Sequence, residues 1–346
     1  MTMKASPSIL AVILNYRTPE MTLRSARSVL QAMSGMNGTL AIVDNASGDG
    51  SFEIIHAAAL ENGWIASGRV EVIQSGHNGG FGAGNNVGIN SQLLSATPPD
   101  FYYIVNSDAF PKPNALRALL QHMSRSPETG IAGSYIFGED GKVHSTAFRF
   151  PSILGELEEA ACTGIITRLL RSKRVSVGKL EESQDVEWLA GASMLIRREM
   201  LEEVGLFDER FFLYYEETDL CRRALNHGWN AHYVRESEVM HIGSVSTGMK
   251  KWARTPQYWF DSRLRYFTKT HGPVYAFVAT LAHVSGALLY RLRRLVGRKP
   301  RLDPPHFLRD MISHYVRSIV KAVAKRFSPD RSERTAQSNI SKPECN

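Results

Sequence analysis

Phe101-Tyr102-Tyr103-Ile104-Val105 is an apolar, β-type run that stops on Asn106-Ser107-Asp108, and the way it stops decides the fold. Three earlier runs end in the same manner: Ile9–Leu14 at Asn15, Leu40–Val43 at Asp44, and Val70–Ile73 at Ser75. Helical spacing over Pro19–Met33, with Met21, Ala26, Val29 and Leu30 on an inner face, separates the first two runs. Gly50–Leu60 suits a helix between the second and third, and a glycine-rich loop from Gly76 to Gly88 leads to the fourth. Strands alternating with helices in this way predict a parallel α/β sheet. Ligands of such open sheets bind beyond the carboxyl ends of the strands, so the four polar stops are expected to converge on one crevice.

Further along, residues 151–185 are less regular and read as an amphipathic helical insertion or a flap. The pattern tightens again from Val186 through Trp188-Leu189-Ala190-Gly191-Ala192 to a helix near Arg198–Val204. An apolar run from Val274 to Tyr290 leads directly into Arg291, Arg293 and Arg294. The net charge of +7 is concentrated there: residues 291–334 carry +9, whereas residues 1–290 carry −2. A local basic run favours anionic surfaces, and the bland alternative is a solvated helix face. At 17 residues, with His283 and Ser285 inside it, the 274–290 run is short for a membrane span and fits an interfacial helix better, or a helix packed on protein. Lys4 and the apolar residues behind it imitate a signal peptide, but Asn15, Tyr16 and Arg17 interrupt too early, so a buried first strand is expected. Three widely spaced cysteines without a CxxC pair imply neither a disulfide framework nor a thiolate metal site, and suit a reducing compartment.

Several segments offer chemistry. Asp108 at a strand end is placed to reach a divalent cation, and equally to cap a helix. The loop His77–Asn86 brings backbone amides close to something bulky or charged. It follows the third strand and not the first, which argues against a dinucleotide-binding dehydrogenase. In Tyr214-Tyr215-Glu216-Glu217-Thr218-Asp219, helical geometry puts Glu216, Asp219 and Arg223 on one face and turns Glu217 about 100° away. Asp219 can pair with Arg222 or Arg223, leaving Glu217 as a candidate general base. His241, at the end of an apolar stretch, is a candidate metal or diphosphate contact or a structural imidazole.

Together these segments resemble the family 2 nucleotide-sugar glycosyltransferases, particularly the rhamnosyltransferase-like branch. The matching pieces are ILNYR (13–17), VDNASGDGS (43–51), NGGFGAGNNVGI (78–89), YIVNSDA (103–109), WLAGASMLIRR (188–198), GLFDERFFLYYEETDLCRRALNHGW (205–229) and MHIGSVS (240–246). The resemblance implies a Rossmann-like domain of the glycosyltransferase A type over residues 1–270, with a mainly parallel central sheet. A helical basic extension (271–327) and a disordered tail (328–346) would follow. It implies that Asp44 contacts the nucleobase, that Asn15 and Arg17 line the nucleotide pocket, and that Gly79, Gly80 and Asn86 close on the donor. Asn106-Ser107-Asp108 takes the place of the DxD motif, so Asp108, with His241, is expected to hold Mg²⁺ or Mn²⁺ on the diphosphate. Glu217 falls where the family has the aspartate base, with Glu216 as the alternative, and Trp188, Gly191 and Ala192 are expected to face the acceptor.

The implied reaction is inverting transfer from a dTDP-, UDP- or GDP-linked sugar to a saccharide or polyprenyl-linked acceptor. It would take place at the inner face of the cell membrane, on an anionic surface, by a cytoplasmic peripheral enzyme. No nucleic acid partner is expected, and a homodimer is left open. Two departures, Asn106 for the first DxD aspartate and Glu217 for aspartate, fall at the reactive centre. A catalytically silent polysaccharide- or membrane-binding relative is therefore the competing reading.

Overall fold

The polar stops do gather on one side of a sheet. In the computed structural model, residues 6–93, 97–243, 253–297 and 304–327 are described. The amino-terminal half alternates as expected: β1 (Ser8–Asn15), α1 (Pro19–Ala32), β2 (Asn37–Asp44), α2 (Ser51–Glu61), β3 (Val70–Gln74), α3 (Gly80–Leu93) and β4 (Phe101–Asn106). Next come β5 (Ala109–Pro111), α4 (Ala115–Arg125), β6 (Thr129–Phe137), β7 (Ala147–Phe148), α5 (Ile153–Ala161) and α6 (Gly164–Leu169). After β8 (Gln184–Val186), β9 (Trp188–Leu189) and β10 (Ser193–Arg197) follow α7 (Arg198–Val204), α8 (Glu216–Asn226) and β11 (Asn230–His241). Three helices complete the chain: α9 (Gln257–His271), α10 (Pro273–Gly297) and α11 (Phe307–Phe327).

The main sheet runs β3-β2-β1-β4-β10-β6-β11-β5, with β8 also paired to β11. Only β10, β5 and β8 run against the other six, so the sheet is mainly parallel and six carboxyl ends share one rim. β1 lies at the centre because it is apolar on both faces, and Ile9 to Ile13 are all buried. The inner stripe of α1 is Leu23, Ala26 and Val29 with Thr22 and Ser25; Met21 and Leu30 lie half-buried beside it.

The glycine-rich segment differs from the expected loop, since it is helical from Gly80 onward. Its glycines serve close packing. A Cβ on Gly84 would meet Leu14 at 2.4 Å and one on Gly88 would meet Val12 at 2.6 Å, so a glycine every fourth residue lets α3 lie directly on β1. β11 was not anticipated from sequence. A register shift between Val234 and Glu238, in the charged stretch Arg235–Glu238, breaks its two-residue period.

Residues 151–185 begin as the expected helical insertion, α5 and α6. The extension packs back on it: Gly286 of α10 lies so close to α5 that a Cβ would meet the Leu157 carbonyl oxygen at 2.7 Å. Beneath this seam Glu156 of α5 accepts from Arg263 of α9 (2.8 Å) and contacts His283 of α10 (2.7 Å), while Arg263 also donates to Thr280 (3.1 Å). All four are buried. The boundary read at residue 271 thus falls between helices that share a core, and the 328–346 tail lies outside the described residues.

Candidate active site

The strand ends, the α8 start and the α9 start enclose a crevice of about 790 Å³. β4 delivers Asn106, Ser107 and Asp108 to its floor, and β11 delivers His241. Asp108 is buried; its Oδ1 lies 3.0 Å from His241 Nε2, its Oδ2 accepts from the Gly243 amide (3.0 Å), and Asn106 Nδ2 is 3.4 Å from the same imidazole nitrogen. A carboxylate, an amide and an imidazole form a mostly hard donor set suited to Mg²⁺ or Mn²⁺. Among the described residues no three acidic, His or Cys side chains form a complete cage. A divalent cation held there would need further ligands beyond these three side chains.

Across the crevice stand Glu216 and Glu217, the first two residues of α8. They diverge along the helix as expected, yet at a helix start both reach the crevice wall. Glu217 Oε1 accepts from the Gly191 amide at 3.3 Å. The Oε2 atoms of both glutamates are buried with no hydrogen-bond partner among the described residues. Burial raises the pKa of both carboxyls, that of Glu216 further because the Glu217 charge opposes its ionisation, whereas the Gly191 amide partly restrains Glu217. Asp219 is fully engaged by Arg223 (2.8 Å) and Lys269 (2.6 Å), which settles the Arg222-or-Arg223 alternative. The turn before the glutamates is unusual: Tyr214 and Tyr215 both have φ of 70°. It is held from α9, where Ser262 donates to the Leu213 carbonyl (3.0 Å) and the Tyr266 ring lies 5.4 Å from that of Tyr215.

The remaining sequence-derived residues divide into those on the wall and those behind it. Trp188, Gly191 and Ala192 line the crevice, and the Trp188 ring stacks on Phe148 with centroids 4.2 Å apart. Gly80 also lines it, with φ of 88° and the Phe212 carbonyl where a side chain would sit; Gly79 adjoins it. Asn15 and Asp44 are buried behind the wall, joined by a 2.7 Å hydrogen bond and both contacting the Ser47 hydroxyl. Arg17 packs on the same residue, its Nε donating to the Ser47 carbonyl (3.0 Å). Asn86 is turned toward Phe207 and Glu209, donating at 2.9 and 3.0 Å. These four side chains brace the loops, while the neighbours Tyr16 and Asn45 line the crevice. Sequence reasoning also missed His144 and Tyr258 on the wall. Tyr258 opens the aromatic run Tyr258-Trp259-Phe260, a readable signal, whereas His144 carries none.

The mainly parallel sheet, with its two-carboxylate wall and hard-donor floor, is a glycosyltransferase A fold by its similarity to solved structures and to a family of known sequences. Residues 7–263 match the family described as glycosyltransferase like family 2, and the chain belongs to it. It is 33% identical over 186 residues to the N-acetylglucosaminyl-diphospho-decaprenol L-rhamnosyltransferase of Mycobacterium tuberculosis, covering 52% of this chain and 61% of that protein. It is 24% identical over 241 residues to the dTDP-rhamnosyl transferase RfbF of Shigella flexneri, covering 69% and 71%. Among solved structures, the mannosyltransferase PcManGT from Pyrobaculum calidifontis, in complex with GDP-Man and Mn2+, is similar in fold. Its TM-score is 0.55 at 12% identity, covering 97% of this chain and 84% of that one.

Proposed function

We propose that the chain transfers a sugar, rhamnose by its similarity to the M. tuberculosis and S. flexneri proteins, from a nucleotide diphosphate to a hydroxyl of a saccharide acceptor, with inversion. The observation that carries this reading is the pair of buried glutamates, each with an orphaned carboxylate oxygen, lining the same crevice as Asp108 and His241. A buried acceptor without a donor costs stability unless a ligand supplies the hydrogen bond. An attacking sugar hydroxyl is such a donor.

Glu217 is assigned as the base. It is the more open of the two, and the Gly191 amide fixes one of its oxygens at the crevice wall. Glu216, raised further and only 2% exposed, keeps its proton and lends a neutral hydrogen-bonding group to the wall. Asp108 and His241, with Asn106 alongside, would hold a divalent cation. When bound, that cation supplies positive charge against the departing diphosphate. The stacked Trp188 and Phe148 rings suit the apolar face of an acceptor sugar. A lipid-diphosphate-linked acceptor is favoured by the first of the two relatives.

The test is nucleotide release from dTDP-, UDP- and GDP-sugars, with Mg²⁺ or Mn²⁺ and then with EDTA, comparing wild type with Glu217→Gln. Metal-dependent release from one donor, lost in the variant, is the expected result. Failure of any donor to bind would sink the proposal in favour of a silent binding protein.

A further inference from the structure

The outward sides of α10, α11 and α6 are apolar in a way that reverses ordinary packing. On α10 the aliphatic residues facing the protein are small, Ala276, Ala279, Gly286 and Ala287, and they are buried beside Thr280, His283 and Tyr290. The large ones face away: Phe277, Leu281, Leu288 and Leu292 are exposed, as are Leu295 at 75% and Val296 at 90%. A helix solvated by water buries its large side chains. Small residues at the helix seam with large ones outside is the arrangement found where the surroundings are lipid.

The face extends beyond α10. The Phe277 ring lies 6.1 Å from that of Tyr315 on α11, whose outer side continues with Val316, Val320 and Val323. At the other end Arg293 donates to the Cys162 carbonyl just ahead of α6, where Ile165 and Leu169 are both more than three-quarters exposed.

Charge identifies the occupant. Neither α10 nor α6 contains Asp or Glu, and the single acid of α11, Asp310, is paired with Arg254. At about 100° per residue, Arg291 and Arg293 fall on opposite margins of the α10 apolar stripe. Arg168, Arg317 and Lys321 add further exposed cations. A second copy would meet this cationic rim with its own, whereas anionic headgroups complement it. Among the described residues α10 is the single helix whose length and composition suffice to cross a membrane. Its inner side, however, is committed to the buried Glu156–Arg263–His283 cluster.

We propose that this three-helix face docks on a bilayer carrying anionic headgroups, with α10 lying along the surface. The proposal is independent of the transfer reaction. The full chain is tested by flotation with phosphatidylcholine vesicles, alone or mixed with phosphatidylglycerol. It is expected to float with the mixed vesicles, more weakly with the neutral ones, and less at high salt. Replacing Leu288, Leu292 and Leu295 together by Ser should cut the bound fraction at least about tenfold, since three exposed apolar contacts are lost. The melting curve followed by circular dichroism should stay unchanged. Val316, Val320 and Val323 to Ser is the second variant, with the same expectation. Absence of flotation on mixed vesicles, or flotation of both variants as wild type, would overturn the proposal. So would a stable dimer by light scattering that the Leu variant converts to monomer, which would give the face to a second copy.

Discussion

Two buried acidic groups lie on either side of Tyr215 and have opposite surroundings. Glu156 is met by Arg263 and His283, and despite its burial these partners hold its carboxyl down at about 2. Among the described residues no cation contacts Glu216 or Glu217, and burial pushes both upward. Tyr215 adjoins Glu216 in sequence and also feels the Glu156 charge. The difference separates fastening from chemistry. A buried carboxylate with its cation holds three helices together, whereas buried carboxylates without one suit the proposed proton transfer.

The largest expected effect tests the chemical side. Glu217→Gln should lower sugar transfer about a thousandfold, within the usual range for loss of a general base, with the thermal midpoint unchanged. Full activity in this variant would erase the contrast. On the fastening side, Arg263→Met strands Glu156 and should cost about 3–5 kcal/mol in urea denaturation. The double variant Glu156→Met/Arg263→Met should recover much of that loss, and a loss in the single variant no larger than that of a surface change would deny the cluster its role.

Acidification sharpens the comparison further. The folded Glu156 value is depressed from 4.5, so its stabilisation is present above that value and fades as the pH falls towards about 2. Wild type should therefore lose stability over this window more steeply than Arg263→Met, as measured by chemical denaturation at each pH. The proposed base has the opposite sign: to act as one Glu217 would have to be ionised, and its value is raised, so the acid limb of the pH–rate profile should lie above the ordinary carboxylate range. The smallest effect is expected for Glu216→Gln. If Glu217 is the base and Glu216, whose value is raised further, acts as a neutral group, an amide at 216 should leave the acid limb in place and activity within about tenfold. If Glu216→Gln abolishes transfer instead, the two glutamates exchange roles.

Much of this was legible in the sequence, for reasons that differ by segment. The crevice was readable because β1, β2 and β4 each carry an unbroken apolar run that ends abruptly, leaving the polar stops nowhere to go but the rim. Asp108 and His241, 133 residues apart, could be listed as candidates, but only the β5–β11 pairing brings them to 3.0 Å. The glycine segment misled because glycine reads first as loop, whereas a four-residue glycine period also marks a helix packed tightly on a strand. The side chains of Asp44, Asn15 and Asn86 hydrogen-bond within the protein, whereas Asn45, one residue along from Asp44, lines the opening. The buried cation of α9 had no signal at all, since Arg263 looks like any other charge in Ser262-Arg263-Leu264-Arg265.

The paired left-handed tyrosines bear on any attempt to redesign the enzyme. Each conformation costs a side-chain-bearing residue about 1 kcal/mol, so glycine at 214 or 215 would relax the backbone. The same change would remove the rings wedged against α9, and the ledge carrying Glu216 and Glu217 would be left to drift. A stabilising programme that scores positions one at a time would select that replacement, and would obtain a more comfortable chain with a misplaced base.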